Sequence, residues 1–142
     1  MENIIVASSN LNGIFAIHNY YKRCQYKQSV AICCAMLASI VYHLIEHHKH
    51  NMLGIGIFKN KFYHVVFLNL DRFFAFYAVY MSYSPKIFKH IYFALFGLTC
   101  LFTSEILSTL FSPSKEKLIH IIFHCLWHLS AFEMARLLSI SK

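Results

Sequence analysis

The chain has 142 residues, of which 58% are hydrophobic and 13% charged, and its mean hydropathy is +0.50. Soluble domains carry about 25% charged residues, so this composition excludes an ordinary soluble domain. It predicts an all-α, polytopic membrane protein with a single domain over residues 1–142. The net charge of +7 comes from residues that lie mostly between apolar runs. Because such basic loops meet anionic headgroups, we expect membrane lipids as partners and no nucleic acid.

The first apolar run is the weakest of five, because serines and asparagines interrupt it, and it could be a tilted or re-entrant helix. Each of the four later runs is long enough to cross about 30 Å of hydrocarbon as a helix. Polar loops, two of which contain a proline, separate the later runs, and proline cannot continue a helix. We therefore predict four or five transmembrane helices, at residues 4–21, 28–46, 62–83, 87–111 and 118–140.

Cysteines and terminal residues give few further clues to location. The cysteine count is odd, no CxxC spacing occurs, and four of the five lie inside apolar runs, so we expect buried thiols without a disulfide framework. The N-terminus lacks a basic region followed by a small-residue cleavage site, so a signal peptide is not expected. The cysteines are Cys24, Cys33, Cys34, Cys100 and Cys125.

Histidines dominate the polar content of the last run. His120, His124 and His128 are four residues apart, so on a helix they share one face. Polar side chains at membrane depth usually mark a site, and neutral imidazole is the commonest metal ligand. In the second run, Ser39 and His43 also share a face.

Together, His43, His124 and His128 offer three imidazoles from two helices, which is the pattern of a catalytic zinc with one open position. Such a zinc would activate a water and polarise an ester or amide carbonyl. We expect His120 to lie at the membrane interface, solvated and outside the ligand set.

Asp71 lies well inside the third run, where a carboxylate costs about 2.5–3.5 kcal/mol at the bilayer centre. A functional role would compensate, either as general base or as a partner that orients a ligand or the water. Ser39 could donate a hydrogen bond to a developing oxyanion. Because the second and fourth runs end on the same side, we expect the histidines, Asp71 and Glu105 to fall in one leaflet.

Other polar residues have simpler interpretations. Glu105 is expected to pair with Arg72 or to make a helix-packing hydrogen bond, and Glu133 and Arg136 are expected to form a local i, i+3 ion pair. The stretch 43–47 also matches the H-x-x-E-H spacing of inverted zincins. That motif usually belongs to a soluble metalloprotease fold and needs a further ligand, so it is the weaker alternative.

Three motifs in chain order resemble those of the CREST superfamily. They are Ser39-Ile-Val-Tyr-His43, Asp71 in the next run, and His124-Cys-Leu-Trp-His128 in the last run. That superfamily contains the alkaline ceramidases, the progestin/adipoQ receptors with the hemolysin-III proteins, and the myomaker-like proteins. The resemblance extends from about Asn10 to Phe132, and it implies zinc held by the three histidines.

Family members have seven spans, three of which lie between the Asp-bearing span and the last. This chain has room for one span between them, so it resembles a shortened member. Losing two spans leaves the last span in the same orientation across the membrane. The stretch from Asn10 to His43 looks most like the myomaker-like branch, whereas Asp71 followed by Tyr83-Ser84-Pro85 is similar to the hemolysin-III branch.

Two functions follow from these features. The first is a zinc-dependent intramembrane hydrolase of a lipid amide or ester, which the Ser39, Asp71 and three-histidine set favours. The second is a non-enzymatic membrane protein with a structural zinc site, acting in fusion, assembly or lipid reception, which the short chain favours. The lipid substrate, the membrane, protein partners and an oligomeric state stay open at this point.

Overall fold

Six α-helices and three short 3-10 segments make up the part of the chain that is described by the computed structural model, residues 2–45 and 61–141. No strand occurs in these two ranges, which confirms the predicted all-α fold. The helices are α1 (Glu2–Ser9), α2 (Gly13–Lys22), α3 (Tyr26–Ile45), α4 (Lys61–Ser82), α5 (Ile91–Glu105) and α6 (Pro113–Ile140). The 3-10 segments are Asn10–Asn12, Pro85–His90 and Leu107–Leu110.

Four helical stretches are long and apolar enough to cross a membrane: Tyr26–Ile45, Phe62–Ser82, Pro85–Leu110 and Pro113–Ile140. They correspond to the four later runs predicted from the sequence. The last helix begins five residues earlier than the predicted 118, at Pro113. Proline is favoured in the first turn because its φ suits a helix and its missing N–H has no intrahelical partner there. The polar residues that follow it therefore extend the helix beyond the apolar run.

Helices α3 and α4 pack against each other, as do α5 and α6. Both pairs are antiparallel: the Tyr42 ring near the end of α3 lies 5.6 Å from the His64 ring near the start of α4. Similarly, Ser130 Oγ on α6 donates a hydrogen bond of 2.6 Å to the carbonyl of Phe93 near the start of α5.

The first two helices pack on both α3 and α6, and they run parallel to α6. Lys117 Nζ near the start of α6 lies 3.0 Å from Glu2 Oε1. Farther along both segments in the same chain direction, Gly13 lies against Phe132. A Cβ on Gly13 would lie 2.9 Å from Phe132 Cε1, so the glycine permits this close approach. The run predicted as the weakest span is thus a helical segment of the bundle, broken only by the turn at Asn10–Asn12.

Polar residues are unusually common in the interior. Apolar residues of α2, α3, α4 and α6 form part of the interior. Among the described residues, the buried set also includes two asparagines, four histidines and several serines. Large apolar side chains cover the outside instead: Phe76, Tyr80 and Tyr92 are 76%, 76% and 80% exposed. An apolar exterior of this extent needs a partner other than water.

Candidate metal centre

Three histidines from two helices converge in the interior. His43 lies near the end of α3, and His124 and His128 are successive residues on one face of α6. All three side chains are buried, and each offers one ring nitrogen such that no two of these nitrogens are more than 4.8 Å apart. The ring centroid of His43 lies 4.8 Å from that of His124 and 5.1 Å from that of His128. The predicted histidine set is therefore brought together.

His128 is held by residues from three other elements. Its Nδ1 lies 2.8 Å from Ser9 Oγ and 3.1 Å from Asn10 Nδ2, at the turn between α1 and α2. On the other side of the ring, Nε2 lies 3.5 Å from Ser39 Oγ on α3. Ser39 was predicted to share a face with His43, and it does line the centre.

A second group of potential ligands adjoins the first and shares His124 with it. Glu105, His120 and His124 offer three ligand atoms within 4.8 Å of one another. Glu105 Oε1 lies 3.1 Å from His124 Nδ1 and 3.7 Å from His120 Nδ1. The two groups form one continuous cluster, with His124 at its middle.

The end of α5 gives this cluster a negative electrostatic environment. Ser104 and Glu105 are the last residues of α5, and both contact the histidines of α6. The C-terminal end of a helix carries a partial negative charge from its free carbonyls, and an ionised Glu105 carboxylate would add to it. A cation between the histidines is favoured by both.

Asp71 is not a member of either group. It is half-buried on α4, and α4 is aligned with α3 by the contact of His64 with Tyr42. Asp71 follows His64 by seven residues, which is about 10 Å along a helix axis. Asp71 therefore lies at a different level along the α3–α4 pair from His43, which is the neighbour of Tyr42. The predicted role of Asp71 stays a prediction.

Several residues of the cluster were missed or misjudged in the sequence. His120 was expected to be solvated at the interface, but its side chain is fully buried and contacts the end of α5, so that prediction was wrong. Glu105 was expected to pair with Arg72 or to join two helices, and its carboxylate on α5 lies beside His124 on α6. Glu105 is the last residue of α5, and His120 lies seven residues, about two turns, into α6, so both are near the connection between these helices.

Ser9 and Asn10 were treated only as interruptions of an apolar run. The structure gives them a role, since Asn10 is completely buried and both contact His128. Their contact spans 119 residues from Ser9 to His128, so no local pattern predicts it.

Two further predictions can be compared with the structure. Glu133 and Arg136 form the expected ion pair, with Oε1 2.6 Å from Arg136 Nη2, which confirms that prediction. The alternative H-x-x-E-H site needs residues 46 and 47, which lie outside the described residues.

Comparisons with known proteins give one relative and no family. The chain is similar to the uncharacterized protein L282 of Acanthamoeba polyphaga mimivirus, with 29% identity over 148 aligned positions, 93% of this chain and 92% of that protein. No protein-family model matches the chain, and no solved structure matches it. The relative's name carries no activity, so functional assignment depends on the geometry of the cluster.

Proposed function

We propose that the chain is a multi-pass integral membrane protein that binds one zinc ion and hydrolyses the amide or ester bond of a lipid. The observation that carries this proposal is the convergence of His43, His124 and His128, all buried, from α3 and α6. Membrane placement is supported by the four long apolar helices and by the apolar exterior around a polar interior.

The donor set suits zinc. Imidazole nitrogens are common zinc ligands, and three protein ligands with one open position are typical of catalytic zinc. Two nitrogens bound to one tetrahedral zinc lie about 3.3 Å apart. The separations here do not exceed 4.8 Å, so small side-chain rotations suffice. When bound, zinc supplies Lewis-acid chemistry, since it lowers the pKa of a water to about 7 and polarises a carbonyl.

The chain's own residues supply the remaining roles. Ser39 Oγ, beside His128, is placed to donate a hydrogen bond to the oxyanion that develops during hydrolysis. Asp71 is the proposed general base, whose carboxylate would take a proton from the attacking water. A general base must come within hydrogen-bond reach of the attacking water, directly or through one further water, so this role requires Asp71 to approach the centre when substrate binds.

The same residues support a family assignment as part of the proposal. Ser39 and His43 lie on α3, Asp71 lies on α4, and His124 and His128 lie on α6, with α5 between α4 and α6. This is the chain order of the CREST motifs. We propose that the chain is a shortened member of that superfamily.

One observation favours a second function. Asp71 lies outside both groups of ligands, and a centre without a base would hold a metal without catalysing hydrolysis. In that case the protein is a non-enzymatic membrane protein with a structural zinc site, which acts in fusion, assembly or lipid reception.

Elemental analysis of the purified protein tests the proposal. We expect about one zinc per chain, loss of zinc in His124→Ala, and retention in His18→Ala, which changes an exposed histidine. A protein without any transition metal, or an equal metal content in His124→Ala, would refute the metal centre. Incubation of the zinc-loaded protein with ceramides and phospholipids then separates the two functions, because only the hydrolase releases fatty acid.

A further inference from the structure

The hydrogen bonds around His124 determine which of its nitrogens carries the proton. Ser104 Oγ lies 3.3 Å from His124 Nδ1 and donates its own proton to the carbonyl of Leu101 at 2.9 Å. A hydroxyl has one proton, so while it donates to Leu101 the Ser104 oxygen can only accept from His124. An ionised carboxylate is likewise only an acceptor, and Glu105 Oε1 lies 3.1 Å from the same nitrogen. From these two neighbours we assign the proton of the neutral His124 ring to Nδ1.

With the proton on Nδ1, the lone pair of the His124 ring is on Nε2. Carboxylates commonly accept a hydrogen bond from the second nitrogen of a metal-bound histidine, which fixes the tautomer and the ring orientation and makes the ligand more basic. We propose that Glu105 is the positioning residue of His124: its carboxylate, 3.1 Å from Nδ1, accepts the Nδ1–H bond when the metal is bound and so presents Nε2 to the metal. This inference rests on the proposed metal centre.

The surroundings of His120 decide against a competing role for Glu105 as a ligand of a second ion. His120 Nδ1 lies 3.1 Å from the carbonyl oxygen of Ser104, which can only accept, so this nitrogen too carries a proton. Both imidazole nitrogens that face Glu105 are thus hydrogen-bond donors. A second metal ion there would need both of them to lose their protons, whereas a hydrogen-bonding carboxylate fits them as they are.

Zinc affinity of the full-length protein tests the inference, with chelator competition as the measurement. We expect Glu105→Gln to weaken zinc binding by about 10- to 100-fold, because the neutral amide still accepts the hydrogen bond but no longer raises the basicity of His124. Glu105→Asp should recover part of the loss. The matched control is Glu133→Gln, which removes a carboxylate of α6 that pairs with Arg136 instead, and it should leave the affinity unchanged.

The ¹⁵N chemical shifts of His124 in the zinc-loaded wild-type protein report directly which ring nitrogen is protonated and which binds the metal. We expect a protonated Nδ1 and a metal-bound Nε2, and this measurement needs no variant to fold. The opposite tautomer would overturn the inference, as would an unchanged zinc affinity in Glu105→Gln.

Stoichiometry distinguishes the remaining outcomes. Two ions in the wild type and one in Glu105→Gln would make Glu105 a ligand and overturn its positioning role while leaving the first centre intact. A wild-type protein that binds no zinc would refute the proposed function itself, and this inference with it.

Discussion

Asp71 and Glu105 are both carboxylates within apolar runs, and their surroundings differ. Glu105 contacts two histidines at the end of α5, whereas Asp71 lies on α4 outside the ligand groups. A carboxylate in contact with a ligand affects how tightly the metal is held, while one that acts only as a base affects the rate of hydrolysis. Substitutions at the two positions should therefore have separable effects.

We expect Asp71→Asn to retain zinc and to lose hydrolysis by about 100-fold or more, because asparagine keeps the volume but cannot take a proton. The measurement pairs metal content with the rate of fatty-acid release. Arg72→Gln, which changes the exposed neighbouring charge, is the control and should keep both. Wild-type hydrolysis by purified Asp71→Asn would exclude Asp71 as the base.

The spacing of residues within one helix made much of the centre predictable. A separation of four residues places His124 and His128 on one face wherever the helix lies, and the same holds for Ser39 and His43. The sequence could not show which residues contact the other side of each ring. Those contacts come from Ser9 and Ser104 on separate helices, and they depend on tertiary packing.

At the scale of whole helices, hydrophobic length was the reliable signal. It predicted α3 to α6, because a long apolar run needs no partner to identify it. The first run was harder to assign, because its polar residues lower its hydropathy. The role of these residues becomes clear only from tertiary contacts: Asn10 in the turn at Asn10–Asn12 contacts His128, and Gly13 lies against α6.

The close approach of α2 to α6 at Gly13 yields a testable stability effect. Its backbone is helical, with φ −57°, so a substitution there adds no backbone strain. Leucine would nevertheless place four carbons where a Cβ alone already lies 2.9 Å from Phe132 Cε1. We expect Gly13→Leu to lower the free energy of unfolding by about 1–3 kcal/mol, as overpacking does.

Thermal unfolding in detergent measures this difference. Ile14→Leu is the control, since Ile14 is the half-exposed neighbour and its replacement keeps the volume. In the double variant Gly13→Leu with Phe132→Ala, we expect part of the lost melting temperature to return, because alanine leaves room for the leucine. An equal melting temperature for Gly13→Leu and the wild type would contradict the close packing of α2 on α6.

For the molecule as a whole, the arrangement of the helices predicts sidedness. His43, Glu105, His124 and His128 lie together, so the end of α3, the end of α5 and the first half of α6 share one side of the bundle. The turn between α2 and α3 lies at the opposite end, where Cys24 is exposed.

Cysteine labelling in intact membranes checks this arrangement. In a protein that otherwise lacks cysteine, residues introduced at Asn51 and Ser114 should react with an impermeant reagent from the same side. Cys24, retained alone as the matched control, should react from the other side. Labelling of Asn51 and Ser114 from opposite sides would mean that α4 and α5 do not both cross between them, and the cluster could not form within one chain.

The parallel contact of the first helices with the last has a consequence for biosynthesis. Ser9 and His128 are 119 residues apart, so α6 must be synthesised before the pair can meet. Until then Ser9, Asn10, Ser39 and His43 lack their partners on α6, and buried polar groups in lipid are costly. The nascent chain thus passes through a stage in which its polar interior is incomplete, and delivery of the last helix ends that stage. On the proposed function, loading of metal would then mark a chain whose last helix is in place, since His124 and His128 lie on α6.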